Sequence, residues 1–284
     1  MQTVTTLPNL RQTVDEIRKR GTIALVPTMG ALHEGHLTLV REAAQMADHV
    51  AVSIFVNPRQ FGENEDLDAY PRQLAEDSAK LAAAGVALLW APDGDAMYPP
   101  GYATNISVAG VSNGLCGADR PGHFDGVATV VCKLFNQVRP DAAVFGEKDW
   151  QQLAVIRRMA RDLDLVLPHA DAIYGVAIVR EPDGLAMSSR NAYLTSQQRG
   201  NARAIPDVLD MAIQMLRDGH DWAHVHAVAE DELLMGGFDS VDYFDLRDAD
   251  SLALLEGDNG NARLFVAARI GRTRLIDNKA VSPT

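Results

Sequence analysis

The sequence predicts an α/β fold: a Rossmann-like parallel sheet with helices on both faces, plus a smaller C-terminal α+β domain. Over the first part of the chain, short apolar runs typical of buried strands alternate with segments whose apolar residues recur at helical spacing. Beyond it, two long helical segments precede strands, and little alternation is left. We therefore expect an N-terminal domain over residues 1–175 and a C-terminal domain over residues 176–284.

The elements of the N-terminal domain can be followed in order. Leu10, Val14 and Ile17 stand at helical spacing, and TIALVP (22–27) is an apolar run that ends at a proline, as a buried strand would. The alternation continues with HLTLVREAAQMA (helix), VAVSIFV (strand), PRQLAEDSAKLAAAG (helix closed by Gly85), VALLWAP (strand), FDGVATVVCKLFNQV (helix), DAAVF (strand) and WQQLAVIRRMARDLD (helix). Such a sheet binds ligands beyond the C-terminal ends of its strands.

The C-terminal domain follows a boundary that we place between Tyr174 and Ala177. Its predicted helices are PDVLDMAIQMLRDG and AHVHAVAEDELLM, and its predicted strands are VDYFDL and ARLFVAARI. No repeat or low-complexity tract interrupts either domain.

Composition narrows the class of protein. The chain has 284 residues, 47% of them hydrophobic, and its net charge of −12 argues against a broad nucleic-acid footprint. Cys116 and Cys132 form neither a CxxC pair nor a cysteine–histidine cluster at zinc spacing, which favours a reducing compartment. No signal peptide and no apolar run long enough to span a bilayer stand out. We expect a cytoplasmic protein that binds neither nucleic acid nor membrane.

The segment PTMGALHEGHLTLV (27–40) places His33 and His36 just after a strand and at the start of a helix. Metal ligation is disfavoured because the helical zinc pattern HExxH needs a spacing of four. A second alternative is that one histidine caps the turn and the other packs. The third is phosphate binding, since Gly30 and Gly35 would let backbone amides approach an anion at a helix N-terminus. Histidines there tend to stay neutral and can donate N–H groups.

Two further stretches would complete a phosphate site. In FGEKDW (145–150), Lys148 follows a strand and could compensate phosphate charge, although a solvated turn with a helix cap is the alternative. In DGLAMSSRNAYLT (183–195), Ser188, Ser189 and Arg190 offer hydroxyls and a bidentate cation, or else form an ordinary polar loop. Neither a P-loop nor a GxGxxG fingerprint is present.

Candidates for Mg²⁺ binding are Asp66, Asp68, Glu76 and Asp77, most of which we expect to be surface carboxylates. The Gly-rich stretch GVSNGLCGADRPGHF (110–124) is predicted to be a loop from which Arg120 or His123 could reach an anionic ligand. The residues alone thus lead to a nucleotide or phosphate site on an α/β fold.

The motifs together resemble the pantothenate synthetase (pantoate–β-alanine ligase) family. The likeness runs from LPNLRQ to RLIDN through PTMGALHEGH, SIFVNPRQF, YPRQLAED, RPGHFDGVATVV, FGEKDWQQL and DGLAMSSRNAYLT. HxGH alone is shared by the wider nucleotidyltransferase group. The resemblance implies condensation of pantoate with β-alanine, with Mg²⁺ and with cleavage of ATP to AMP and pyrophosphate through a pantoyl adenylate. It also implies a homodimer, and a C-terminal domain that closes over the nucleotide site.

The resemblance assigns site residues by position. His36 corresponds to a proton donor and His33 to its phosphate-binding companion, with Lys148 and Arg190 completing the catalytic set. Glu76 falls where some members have a metal-binding aspartate. The residues that would bind ATP are Pro27, Thr28, Met29, Gly30, His33, His36, Gly146, Glu147, Lys148, Asp149, Val179, Met187, Ser188, Ser189 and Arg190. Those that would bind pantoate or β-alanine are Gln60, Gln152, Asn57, Tyr70 and Arg120.

Three residues depart from the family pattern: Arg59, Gln73 and Asp125. None removes a group that the chemistry needs, but each could alter an edge of the acid or amine site. Two other functions stay open: an HxGH nucleotidyltransferase that releases an adenylylated product, and a non-catalytic nucleotide-binding sensor. Both would bind ATP, so only the products separate the three.

Overall fold

The computed structural model describes residues 1–62, 65 and 67–282. Its strands are β1 (Gln2–Val4), β2 (Ile23–Thr28), β3 (His49–Ile54), β4 (Leu88–Trp90), β5 (Ala142–Gly146), β6 (Ile173–Val176), β7 (Ser240–Asp248), β8 (Ala262–Ile270) and β9 (Thr273–Ala280). Its α-helices are α1 (Leu7–Arg18), α2 (Glu34–Met46), α3 (Leu74–Ala83), α4 (Gly94–Met97), α5 (Leu115–Asp119), α6 (His123–Val138), α7 (Trp150–Asp162), α8 (Ser196–Asn201), α9 (Ala204–Arg217) and α10 (Trp222–Met235).

The chain divides into two compact units. The first comprises Met1–Ser112, Arg120–Glu147 and Gln152–Ala177, and the second comprises Asn113–Asp119, Lys148–Gln151 and the chain from Ile178 onward. No helix in the described part of the chain is long and apolar enough to cross a membrane.

The first unit is built on a parallel sheet whose described strands lie in the order β1-β4-β3-β2-β5-β6. From β2 the chain steps outward to β3 and β4, then returns to the other side of β2 for β5 and β6. The strand order therefore reverses between β2 and β5, and in open α/β sheets ligands bind beyond the carboxyl ends of the strands at that reversal. The predicted Rossmann-like sheet is confirmed.

Helices cover this sheet because its strands are apolar on both faces. On one face, Ala24 and Val26 of β2 pack with Leu39 and Val40 of α2 and with Leu81 of α3. The intervening residues of β2 point to the opposite face, as strand geometry requires. There α1 contacts α6, and α6 contacts β2. The apolar stripe predicted for the first helix is buried as expected.

The second unit has its own core around the antiparallel sheet β7-β8-β9. Leu209 of α9 and Leu233 of α10 share that core with Phe244 of β7 and Leu264 of β8. Helices that pack on an antiparallel sheet constitute the predicted α+β arrangement, which is confirmed.

Some elements differ from the sequence expectation. Strands β1, β6 and β9 were not predicted, and α3 begins at Leu74, whereas its predicted segment began at Pro71. Gly85 does terminate α3, with a left-handed φ of 79°. The stretch 110–124, predicted to be a loop, contains the short helix α5.

Gly126 on α6 tests how closely the first unit is packed beside the loop after β3. A Cβ on Gly126 would lie 2.1 Å from the backbone oxygen of Arg59, a distance that requires the backbone to move. Gly126→Ala should therefore lower the free energy of unfolding by about 3 kcal/mol, the upper end of ordinary overpacking. Urea unfolding measures this value. Gly94→Ala is the matched control, because a Cβ at Gly94 meets nothing within 4 Å; equal stabilities of the two variants would contradict the packing described.

Candidate active site

The loop that follows β2 is held in place by side chains of α3. Asp77, which is 1% exposed, accepts hydrogen bonds from the backbone N–H groups of Ala31 (2.8 Å) and Leu32 (2.9 Å). Lys80 Nζ donates to the carbonyl oxygen of Leu32 at 2.8 Å. Gly30 has a left-handed φ of 85°, and a Cβ there would lie 3.1 Å from Asp77 Oδ2. Glycine at this position therefore lets the buried carboxylate approach the loop.

The two histidines lie at the start of α2, as predicted. His33 is the N-cap residue, and its Nδ1 accepts from the N–H of Gly35 at 3.2 Å. His36 Nδ1 accepts from the N–H of His33 at 3.4 Å, and the ring centroids are 4.2 Å apart. Because each Nδ1 acts as an acceptor, a neutral ring carries its proton on Nε2. Each histidine thus orders the helix start through one nitrogen and carries an N–H donor on the other.

The other predicted ATP-binding residues of the first unit lie at the two strand ends where the sheet order reverses. Pro27 and Thr28 end β2, and Met29 follows. Gly146 ends β5, and Glu147 opens the next turn. The hydroxyl of Thr28 donates to a carbonyl oxygen of β3 at 2.8 Å, which fixes the end of β2. The structure thus brings the HEGH loop and the start of GEKD to neighbouring strand ends.

Asn57 and Gln60, predicted to bind substrate, form a buried amide pair beyond β3. Asn57 Nδ2 donates to Gln60 Oε1 (2.8 Å) and to the carbonyl oxygen of Gly126 (3.1 Å), while Asn57 Oδ1 accepts from the Tyr98 hydroxyl (2.9 Å). Burial raises the pKa of Tyr98 to about 12, so this hydroxyl is protonated and donates. These contacts orient both amides. Gln60 accepts from Asn57 through its oxygen, so the orientation of its Nε2 donors is fixed as well.

The three remaining predicted substrate residues also belong to the first unit. Tyr70 is buried, and its ring contacts that of Phe61 edge-on at 5.9 Å. The guanidinium of Arg120 bonds both carboxylate oxygens of Glu65 (2.7 and 2.5 Å) and also donates to a backbone oxygen. Gln152 is half-buried in the first turn of α7. Arg120 is therefore anchored, whereas the sequence suggested a loop cation reaching for a ligand.

In the second unit, Lys148 lies in a single turn of 3₁₀ helix, Glu147–Asp149. Its carbonyl oxygen accepts from Asn278 Nδ2 at 3.0 Å. Its ammonium lies 3.8 Å from Asp149 Oδ2, and its side chain is 20% exposed, against 47% for Asp149. Lys148 is therefore tied to the protein by its backbone and is largely shielded from water, unlike a lysine in a solvated turn.

A short hairpin brings together the predicted ATP-binding residues from the second half of the chain. The N–H of Met187 donates to the carbonyl oxygen of Val179 at 3.0 Å, so these two residues face each other. Ser188 then caps the turn Ser189–Tyr193, with its Oγ accepting from the N–H of Arg190 at 3.3 Å. The MSSR segment is thus an ordered turn at the end of a hairpin.

The acidic candidates separate into different roles. Glu76, in the first turn of α3, lies 2.8 Å from Lys80 Nζ, and its side chain is 61% exposed. Asp77 is the buried anchor of the β2 loop, and Asp68 is exposed. Asp66 lies outside the described residues. Among the residues that the structure describes, no group of three or more His, Cys, Asp or Glu side chains forms a ready-made metal site.

Two of the departures from the family pattern are connected. Arg59 Nη2 donates to Asn105 Oδ1 at 2.9 Å, and Asn105 Nδ2 donates to Asp125 Oδ2 at 2.9 Å. Arg59 therefore belongs to one chain of hydrogen bonds with Asp125. The third departure, Gln73, contacts the β2 anchor, with its Nε2 3.4 Å from Asp77 Oδ1.

Several residues that hold these segments were not singled out from the sequence in that role. The sequence marks Asp77 as a candidate metal ligand, whereas its spacing of four from Leu81 places it on the buried face of α3. Tyr98 and Asn278 carried no signal, because their partners are distant in sequence and a single sequence contains no record of contact.

Comparison with known proteins identifies the family of the chain. The family model described as pantoate-beta-alanine ligase matches residues 2–280. The chain is 65% identical to the pantothenate synthetase of Novosphingobium aromaticivorans over 285 residues, which is 100% of both chains.

Solved structures give the same result. The crystal structure of pantothenate synthetase from Thermus thermophilus superposes with a TM-score of 0.93 at 44% identity and covers 100% of both chains. That of the pantoate-beta-alanine ligase from Francisella tularensis, complexed with beta-gamma ATP and beta-alanine, has a TM-score of 0.83 at 33% identity and covers 99% of this chain and 98% of that one. The chain therefore belongs to the pantoate–β-alanine ligase family.

Proposed function

We propose that the protein condenses pantoate with β-alanine to give pantothenate, in a reaction that cleaves ATP to AMP and pyrophosphate through a pantoyl adenylate. Pantothenate and coenzyme A biosynthesis is the corresponding process. The observation that carries the proposal is the full-length match to this family, with its HEGH, GEKD and MSSR motifs in place. The Francisella relative with beta-gamma ATP and beta-alanine supports ATP as the nucleotide.

In the first half-reaction, the carboxylate of pantoate attacks the α-phosphate of ATP and pyrophosphate leaves. Negative charge builds up on the phosphate oxygens, and fixed donors stabilise it in the transition state. We assign that task to the Nε2–H groups of His33 and His36, to Lys148 and to Arg190. The carboxylate needs no activated nucleophile. In the second half-reaction, the amine of β-alanine attacks the acyl carbon and AMP leaves.

The remaining assigned residues bind and orient the substrates. The strand-end residues Pro27–Gly30 and Gly146–Asp149 present backbone groups to ATP, and Val179 and Met187–Arg190 supply the rest of its site. Gln60 and Gln152 recognise pantoate, with Asn57, Tyr70 and Arg120 supporting that pocket. The oriented Nε2 of Gln60 suits the carboxylate or hydroxyl oxygens of an alcohol-bearing acid.

Mg²⁺ is part of the same proposal. Glu76 fits it, because Mg²⁺ is commonly held by one or two carboxylates together with substrate phosphates. Lys80 bonds both Glu76 and the carbonyl oxygen of Leu32, so this exposed carboxylate lies beside the loop that leads to His33. When bound, the ion would neutralise part of the phosphate charge.

The wider organisation also belongs to the proposal. Residues 1–175 and 176–284 are assigned as the two functional domains, and a homodimer follows from the family resemblance. Both cysteines are buried free thiols, which suits a cytoplasmic location.

Exchange of labelled pyrophosphate into ATP tests the reaction and separates the rivals. The exchange should require pantoate, should proceed without β-alanine, and should stop with EDTA and resume with Mg²⁺. Addition of β-alanine should then yield AMP and pantothenate. A nucleotidyltransferase would release an adenylylated product that β-alanine does not consume, and a sensor would bind ATP without exchange. Formation of ADP would contradict an adenylate.

His36 provides a test of the transition-state assignment. His36→Ala should slow pantoate-dependent exchange by about two to four orders of magnitude, because a preorganised donor to the phosphate is lost. His36→Asn should be equally slow, since its amide oxygen can replace Nδ1 as the acceptor for His33 N–H but nothing replaces Nε2–H.

Thermal unfolding of both variants verifies that α2 is intact. His226→Ala, at a helix surface position paired with Glu230, is the control and should exchange normally. If folded His36→Asn were as active as the unaltered chain, His36 would serve only to order the helix start.

The glutamines test the pantoate pocket. Gln60→Ala and Gln152→Ala should raise the KM for pantoate about tenfold or more and leave that for ATP nearly unchanged, because a site built to bond substrate oxygens loses its partners. Gln60→Glu is the sharper variant: it keeps the acceptor that Asn57 uses but turns the donor into a negatively charged oxygen. It should raise the KM for pantoate more than Gln60→Ala does, because the new charge repels the carboxylate of pantoate.

Steady-state kinetics with each substrate varied in turn gives both constants. Gln12→Ala, on the exposed side of α1, is the control for loss of a glutamine amide. A larger rise in the KM for ATP than for pantoate would place these glutamines in the nucleotide site instead.

A further inference from the structure

Two adjacent residues of β9, Asp277 and Asn278, are buried and polar, and β9 pairs with β8 at one side of the second unit's sheet. Neighbouring residues of a strand point to opposite faces, so the pair can hold two different segments. One side chain contacts the turn that carries Lys148, and the other contacts the hairpin between Val179 and Met187.

Asn278 contacts Lys148 through an amide whose orientation is fixed. Its Oδ1 accepts from Arg263 Nη1 at 2.5 Å, and the Arg263 guanidinium lies over the Trp150 ring, 3.6 Å from its centroid. Since Arg263 can only donate, the oxygen of the Asn278 amide faces Arg263 and the nitrogen faces the Lys148 carbonyl, 3.0 Å away. The Trp150 indole in turn donates to the carbonyl oxygen of Ala249 at 2.8 Å. A chain of contacts that is buried at Asn278 and Arg263 therefore sets the backbone of Lys148.

Asp277 holds the hairpin through Arg180. Asp277 is 3% exposed, and its carboxylate accepts hydrogen bonds from both terminal nitrogens of Arg180, at 2.7 and 3.0 Å. Arg180 follows Val179, and it also donates to the carbonyl oxygen of Gly184 at the hairpin turn (2.9 Å). The same carboxylate accepts the backbone N–H of Asn278 at 2.8 Å. Asp277 and Asn278 are thus linked to each other by a hydrogen bond as well as by the chain.

We propose that Asn278 is a positioning residue that sets Lys148 for its contact with ATP, and that Asp277 does the same for the Val179–Met187 hairpin. The inference rests on the proposed function, which assigns both segments to the nucleotide. Neither side chain is placed in contact with substrate. Buried polar groups in a sheet are costly unless hydrogen-bonded. Here each of the two side chains bonds one of those segments: Asn278 bonds the carbonyl oxygen of Lys148, and Asp277 bonds Arg180 of the hairpin.

A double-mutant cycle tests the action of Asn278 through Lys148. Asn278→Asp keeps the acceptor for Arg263 but turns the donor that faces the Lys148 carbonyl into a second oxygen. It should slow pantoate-dependent pyrophosphate exchange about 10- to 100-fold, the effect of misplacing a catalytic group. In a Lys148→Ala background, the same change should slow exchange by less than about threefold, because interacting sites are non-additive.

Controls separate positioning from stability. If Asn278→Asp folds poorly, Asn278→Ala takes its place, because it introduces no charge. It should likewise slow exchange in the otherwise unaltered chain and have little further effect in the Lys148→Ala background. Lys279→Ala alters the next residue of β9, which pairs with Asp210, and should leave exchange unchanged. Thermal unfolding accompanies each variant. Equal slowing in both backgrounds, or exchange in Asn278→Asp within threefold of the unaltered chain, would overturn the proposal.

The proposed function and this inference can fail separately. If the unaltered chain shows no pantoate-dependent exchange, the proposed function is wrong. In that case the affinity for a non-hydrolysable ATP analogue is measured by calorimetry in place of the exchange rate. The four proteins compared are the unaltered chain, Asn278→Asp, Lys148→Ala and the double variant. Loss of affinity on Asn278→Asp that disappears in the Lys148→Ala background would still support the inference, and an equal loss in both would overturn it.

Discussion

The shape of the loop after β2 depends on two hydrogen bonds to the buried carboxylate of Asp77. The loop passes through left-handed backbone at Gly30 and Ala31, and for a residue with a Cβ that conformation costs about 1 kcal/mol or more. Two charge-assisted bonds from successive N–H groups offset that cost and also satisfy donors that would otherwise be buried unpaired. The second of these bonds is made by Leu32, the residue before the N-cap His33, so a residue of α3 fixes the backbone that leads into α2 and its two histidines.

In the second unit, side chains of a strand fix the irregular segments in place. Its nucleotide-site candidates lie on a single helical turn and on a hairpin, neither of which is long enough to fix its own backbone. Adjacent buried side chains of β9 hold both, and each is itself bonded by an arginine. Arg180 bonds Asp277 through both terminal nitrogens, and Arg263, stacked on Trp150, bonds the oxygen of Asn278. In both units, then, the segments assigned to chemistry are irregular backbone held by polar side chains that project from regular elements.

This division explains which features could be predicted from the sequence. The parallel sheet, most helices and the positions of HEGH and GEKD at strand ends follow from local periodicity, which a single sequence contains. Strand β1 is too short to show a period, β6 buries only Ile173, and β9 carries Asp277 and Asn278 where a strand pattern calls for apolar residues. The bond between Asn278 and Lys148 spans 130 residues and leaves no local trace. The family motifs supplied the candidate residues, but not the side chains that hold them.

The histidines also show why two interpretations that seemed opposed from the sequence are compatible. Capping a helix and donating to a phosphate use different ring nitrogens. His33 accepts a backbone N–H at Nδ1, and His36 accepts the N–H of His33 in the same way. That use of Nδ1 selects the tautomer with the proton on Nε2, the form that a phosphate oxygen requires. A helix start needs acceptors for its N–H groups, and a phosphate needs donors. A neutral histidine at the N-cap can therefore serve both at once, whereas an aspartate cap would supply only the acceptor.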